Sequence, residues 1–271
     1  MSYRTMLAHV VADRGCASRL RMTASVGRVL NAEVIGLGAQ APWPYPTGDG
    51  KGDFFEQITE ATQAEIASAE ALFREHLKDP AITSAWRAEL GYPDEVVPRH
   101  ARAADLVLAY PTRGEVDASL YATADSLVME TGLPVLLMPR KEAPLALDRV
   151  LLAWKDTREA RRAISTTLPI LKMAKRVLVA AICSDREIAE VELQLADVTQ
   201  RLARHGVTAT SLAEADAPGA AGRKLLRIAE TDKSDLIVAG AYGHSRLREW
   251  VLGGVTRDLI ADGRRYVLLS H

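Results

Sequence analysis

The 271 residues include only two cysteines, Cys16 and Cys183, which fall in different halves of the chain without the short spacing of a redox or metal motif. That excludes a disulfide framework and suits free, buried thiols in a reducing compartment. An excess of charge of one sign is missing too. A net charge of −1 leaves no basic excess of the kind that a nucleic-acid partner calls for. No stretch approaches the roughly 20 apolar residues of a membrane helix, and Met1-Ser-Tyr-Arg4 runs into a strand without an apolar signal core. These absences predict a soluble, cytoplasmic protein with neither membrane nor nucleic acid as partner. The six histidines show no metal-ligand spacing, and no G-x4-G-K-[ST] phosphate loop occurs. Gly243-His-Ser-Arg-Leu247 lacks the glycine that a nucleophile elbow needs two residues after Ser245. Gly36-Leu-Gly38-Ala-Gln-Ala41 fits a dinucleotide fingerprint, but the proline-rich stretch from Ala41 to Gly52 follows it where a helix is required.

What is present is repetition. The length fits two domains of ordinary size, and 48% apolar residues are ample for two cores. Arg4-Thr-Met-Leu-Ala-His9 aligns with Arg149-Val-Leu-Leu-Ala-Trp154, and Ala32-Glu-Val-Ile-Gly-Leu37 with Lys175-Arg-Val-Leu-Val-Ala180. Ala104-Asp-Leu-Val-Leu-Ala109 aligns with Ser234-Asp-Leu-Ile-Val-Ala239, and Pro134-Val-Leu-Leu-Met138 with Tyr266-Val-Leu-Leu-Ser270. Recurrence in one order, at an offset drifting from 145 (Arg4 to Arg149) to 130 (Ala104 to Ser234), reads as an old duplication. The apolar runs read as buried strands, and helical patterns lie between them at Arg14 to Leu30, Glu56 to Leu77, Thr157 to Lys172 and Arg186 to His205, with Gly206 as a C-cap. Alternating strands and helices predict parallel sheets. Domains are expected at 1–142 and 148–271, joined by Lys141-Glu-Ala-Pro-Leu-Ala-Leu147.

The chemistry concentrates near the C-terminus. The run Asp235-Leu-Ile-Val-Ala239 leads into Gly240-Ala-Tyr-Gly243, and nine residues later Gly253-Gly254-Val255-Thr256 open a helix. Glycines allow positive φ and close backbone approach. The first N–H groups of a helix, with the positive end of its dipole, bind anions. Strand, glycine turn and glycine-opened helix together describe a phosphate cradle. At an offset of 130 the first half has Tyr110, Arg113, Thr123 and Ala124 in place of Gly240, Gly243, Gly253 and Gly254; only a hydroxyl survives, Ser126 opposite Thr256. One site per chain, in the second half, is the expectation.

The spacing G-x2-G-x9-G with its flanking strands resembles the nucleotide signature of the universal stress protein family, in its tandem two-domain form. The resemblance implies an α/β fold of two tandem Rossmann-like (adenine nucleotide alpha hydrolase-like) domains, each a mostly parallel five-stranded sheet flanked by helices. It implies ATP, with or without Mg2+, bound by Gly240, Gly243, Gly253, Gly254, Val255 and Thr256, and base and ribose near Ala153, Lys155 and Ile182. The chain departs from the family at Gly254, where Ser or Thr is usual, and at Lys155, where Asp is common and Asp156 follows instead. His244, Arg246 and Arg248 lie in the motif's loop, where the arginines read either as phosphate partners or as solvated charges. The resemblance also implies pairing of the last strands, satisfied inside a tandem chain as a pseudo-dimer, with a homodimer of whole chains and unidentified protein partners beyond that. No catalytic residue is assigned. A regulatory nucleotide-binding module, a slow ATP hydrolase using His244 or Asp156, and an interaction module with a decayed site all stay open.

Overall fold

In the computed structural model, residues 2–42, 52–110, 120–217, 219–242 and 254–271 are described. The chain forms two compact units, Tyr3–Thr131 with Glu142–Pro144, and Gly132–Lys141 with Leu145–His271. The first unit holds strands β1 (Thr5–His9), β2 (Glu33–Gln40), β3 (Ser84–Leu90) and β4 (Leu106–Ala109) and helices α1 (Cys16–Leu30), α2 (Gly52–His76), α3 (Pro93–Ala101) and α4 (Ala124–Glu130). The second holds β5 (Val135–Leu137), β6 (Arg149–Trp154), β7 (Arg176–Cys183), β8 (Ala209–Ala215), β9 (Leu236–Gly240) and β10 (Tyr266–Ser270), with α5 (Arg158–Met173), α6 (Ile188–Arg204), α7 (Ala221–Thr231) and α8 (Gly254–Asp262).

The strand order in the first unit is β3-β2-β1-β4, all parallel. In the second it is β5-β10-β9-β6-β7-β8, parallel except for β5, which runs antiparallel to β10 with Leu136 opposite Leu268. The two terminal strands of the repeats thus pair with each other, the internal pseudo-dimer edge that the resemblance implied. By contacts, β5 belongs with the second unit, although it closes the first repeat in sequence. Each repeat thus supplies five strands, as expected, and the compact units hold four and six because β5 joins the sheet of the second.

Strands β4 and β10 are buried along their whole length, as strands covered on both faces must be. Helix α5 shows how the flanks are built. Thr157 caps it, its hydroxyl accepting the Ala160 N–H at 3.3 Å, and Ala160, Ala163, Ile164, Thr167, Ile170 and Leu171 form its buried stripe. Gly206 does take positive φ (79°) just past α6. The glycines of the apparent dinucleotide fingerprint have a packing role: a Cβ on Gly36 would lie 2.6 Å from Phe73, and one on Gly38 2.7 Å from Ile66. Among the described residues no helix is long and apolar enough to cross a membrane.

Candidate functional site

In the second unit the chain order reverses between β6 and β9: β7 and β8 lie on one side, β9 and β10 on the other. Connections leaving neighbouring strands diverge at such a switch point, opening a crevice beyond the strands' carboxyl ends. Ala153 pairs with both Ala239 and Ala180. Trp154-Lys155 and Gly240-Ala241 therefore leave the sheet side by side, with Ile182 at the end of β7. The fold brings Ala153, Lys155, Ile182 and Gly240 to one sheet edge, with Ala153 buried, Ile182 half-buried and Lys155 exposed.

Gly240 is a glycine for packing. A Cβ there would lie 2.6 Å from the Ala160 nitrogen and 2.7 Å from the Glu159 carbonyl carbon, both backbone atoms of the first turn of α5. The left-handed residue in the turn is Tyr242, at φ 60°. A non-glycine residue there is strained by roughly 1–2 kcal/mol, and neighbouring bonds hold it. Ala241 N–H donates to the Ser270 carbonyl at 2.8 Å, the His271 Nδ1 meets the Ala241 carbonyl at 3.0 Å, and Tyr242 N–H reaches the Thr256 hydroxyl at 3.5 Å. Thr256 is buried, so its hydroxyl ties the start of α8 to the turn after β9. Gly254 is exposed, and a Cβ built on it meets nothing within 4 Å among the described residues. Val255 beside it is half-buried. Gly243 and Gly253 lie outside the described residues, as do His244, Arg246 and Arg248.

The acids near the crevice are engaged. Asp156 forms an ion pair with Arg161. Glu159 is buried and 2.5 Å from Arg158; burial pushes its carboxyl up, but the guanidinium and nearby hydrogen bonds outweigh that and hold it below the usual range. Arg158, Glu159, Arg162 and His271 line a cavity of about 270 Å3, across which Arg162 donates to the His271 carbonyl at 2.8 Å. Asp258, which reads as a helix-surface acid in the sequence, packs against α7, where a Cβ on Gly222 would lie 2.5 Å from its Oδ2. Among the described residues no group of three or more His, Cys, Asp or Glu is placed to hold a metal.

The first unit has the same switch point, between β1 and β4, and fills it with its own side chains. Arg19 from α1, its side chain only 14% exposed, binds Asp13 at 2.6 Å and donates to the Val11 carbonyl at 2.9 Å. Its guanidinium lies 4.9 Å from the Tyr110 ring centroid and 5.4 Å from that of Tyr121. The Tyr121 hydroxyl donates to Asp13. Burial pushes the Asp13 carboxyl up, but bonds from Arg19 and Tyr121 more than offset this and keep it low. Burial also raises the Tyr110 phenol to about 12. At the start of α4, Asp94 accepts from the Thr123 N–H at 2.7 Å, so a carboxylate of the chain itself sits at that helix N-terminus. Asp94 is the second residue of α3; the second residue of the corresponding helix α7 is Gly222. The Ser126 hydroxyl bonds Glu130 at 3.1 Å. Sequence comparison showed the missing glycines but not this cluster, whose members come from four separate segments.

No family model and no curated protein matches the chain. Solved structures do. A universal stress protein from Archaeoglobus fulgidus DSM 4304 superposes with a TM-score of 0.71 at 14% identity, covering 98% of this chain and 97% of that one. A functionally unknown protein from Pseudomonas aeruginosa PAO1 gives 0.62 at 12% identity, over 99% and 92% of the two chains. A Pseudomonas aeruginosa UCBPP-PA14 protein, proposed to be a universal stress protein, gives 0.61 at 15%, over 99% and 93%. The chain has the fold of full-length tandem universal stress proteins.

Proposed function

We propose that this chain binds an adenine nucleotide, ATP foremost, in the crevice of its second unit, at one site per chain, and acts as a regulatory or stress-response module. The observation that carries this reading is the contrast between the two crevices. The first is closed by Arg19, Asp13, Tyr110 and Tyr121, with Asp94 on the helix start. The second has at its helix start a glycine whose Cβ position meets nothing within 4 Å among the described residues. In this reading the N–H groups of Gly254, Val255 and Thr256 face phosphate oxygens, joined by Gly243 and Gly253 from the same motif. Gly240 contributes by letting α5 close on β9, and Ala153, Lys155 and Ile182 border the base and ribose. Lys155 supplies a cation where an acid would have bonded ribose hydroxyls, so phosphate or ribose oxygens are its partners. Mg2+ would arrive with the nucleotide.

A sensor is favoured over a hydrolase because the nearest carboxylates, Asp156 and Glu159, are committed to Arg161 and Arg158, and phosphoryl transfer depends on a free group to orient water or metal. The test is calorimetry with ATP on the native chain and on Gly254→Glu. The substituted side chain enters open space, and a carboxylate at a helix N-terminus favours the helix. The fold should stand while the anion site fills. One ATP per chain, lost in Gly254→Glu, is the expected result. Equal binding by both proteins would refute the placement, and no binding by the native chain would leave an interaction module.

A further inference from the structure

Ser270, the last residue of β10, pairs with Gly240, the last of β9, so His271 leaves the sheet beside Ala241. Two contacts fix it there. Its Nδ1 meets the Ala241 carbonyl at 3.0 Å, and its ring meets that of Tyr242 edgewise, with centroids 6.3 Å apart. Gly240 also abuts the first turn of α5, where the Glu159 carbonyl carbon would lie 2.7 Å from a Cβ built on the glycine. His271 and Glu159 are two walls of the cavity of about 270 Å3; Arg158 and Arg162, one helical turn apart on α5, are the others. The cavity is thus built onto the glycine turn that follows β9.

Its side-chain charges do not cancel. Glu159 is buried and taken by Arg158 at 2.5 Å. Arg162 meets no carboxylate side chain among the described residues; its partner is the main-chain oxygen of His271, at 2.8 Å. A guanidinium carries five N–H donors in a planar fork that matches phosphate, so this one bond positions the group and leaves other donors for a ligand. Like charges one turn apart on a helix repel, and an anion held between Arg158 and Arg162 would relieve that. Among the described residues the walls offer no aliphatic side chain, so the cavity suits a phosphate group and not a base.

We infer that this cavity seats the terminal phosphate of a nucleoside triphosphate, with Arg162 as the residue that separates ATP from AMP. This assignment rests on the nucleotide reading and extends it to the far end of the ligand. Strands β7, β6, β9 and β10 stand in that order, about 4.8 Å apart. With the base at Ile182 on β7, the ribose at Lys155 after β6 and the first phosphates at the turn after β9, the last phosphate reaches the end of β10. Arg162 is fixed at that point by its bond to His271.

The test is calorimetry of the full chain with ATP, AMP and inorganic phosphate, on the native protein, Arg162→Gln and Arg162→Lys. Arg162 is exposed on α5 and both replacements are good helix formers, so the fold should stand. The native chain should bind ATP about tenfold or more tighter than AMP. Arg162→Gln should lose about tenfold or more for ATP, the lower range of a hydrogen bond to a charged group, and nothing for AMP. Arg162→Lys, which keeps the charge without the fork, should retain part of the preference. Equal changes for ATP and AMP in Arg162→Gln would overturn the inference while leaving the nucleotide site in place. So would a native chain that binds the two alike, a result that needs no variant. Inorganic phosphate bound through Arg162, with ATP affinity indifferent to that residue, would give the cavity to free phosphate and overturn the inference too. Failure of ATP to bind the native chain would overturn both readings.

Discussion

Tyr110 stands in the first repeat where Gly240 stands in the second, and the Arg19 guanidinium packs over its ring at 4.9 Å. At one place in a duplicated fold, a glycine admits the backbone of the next helix, while a tyrosine builds the floor of an internal ion pair. The two halves have thus diverged in opposite directions from a common crevice.

Removing Arg19 should unfasten the first unit. Arg19→Ala strands Asp13 and Tyr121 in a partly buried setting. Because Asp13 is about a third exposed, the loss should be about 1–3 kcal/mol, below that for a fully buried pair. A urea denaturation midpoint unchanged from the native chain would show that the cluster contributes nothing to stability. ATP stoichiometry should stay at one.

Gly240→Ala should destabilise the chain, because the new methyl meets backbone atoms that cannot swing aside. Overpacking of this kind costs about 1–3 kcal/mol. Equilibrium unfolding measures it, and a variant as stable as the native chain would mean that α5 is free to move away from β9.

Gly254→Ser should do the reverse for binding. It adds a hydroxyl in open space at the start of α8 and supplies the residue type usual in the family that the motif resembles. If the hydroxyl meets a phosphate, the gain is about 0.5–1.5 kcal/mol, roughly two- to twelvefold in affinity. Unaltered calorimetric affinity would place the phosphates elsewhere.

Acid should weaken the first unit through His9. Burial lowers its pKa from 6.5 to about 4, so between those values the unfolded chain takes up a proton that the folded chain refuses. The sign is therefore a loss of stability as pH falls from about 6.5 to about 4, amounting to about 3 kcal/mol. The depressed carboxyl of Asp13 adds a second loss at lower pH, as the unfolded chain takes up a proton that the folded carboxylate still resists. Denaturation midpoints across this range should fall in the native chain and stay flatter in His9→Gln; parallel slopes would remove His9 as the cause.

Much of this architecture is legible in the residues. The buried strands announce themselves as runs such as Leu236-Ile-Val-Ala239, and their repetition reveals the duplication. The edge strands β3 and β8 do not, because Ser84–Leu90 and Ala209–Ala215 are half-exposed and carry no apolar run. The glycine motif is legible as a motif, but not the reason for each glycine. Gly240 serves a helix contact, Tyr242 takes the left-handed turn, and the Cβ position of Gly254 meets none of the described residues. Close approach of backbone to backbone leaves no trace in local sequence. Nor does a cluster such as Arg19, Asp13, Tyr110 and Tyr121, whose meeting depends on the order of strands.

The placement of Val135–Leu137 bears on how such a chain can change over generations. Because the closing strand of the first repeat is part of the second unit's sheet, the first repeat cannot be removed whole without uncovering β10. A descendant beginning at Asp148 would expose the edge of β10 at Val267, Leu268 and Leu269, an open template for adhesion between molecules. One beginning at Gly132 would keep that edge covered. What the second unit needs of the first repeat is its last strand.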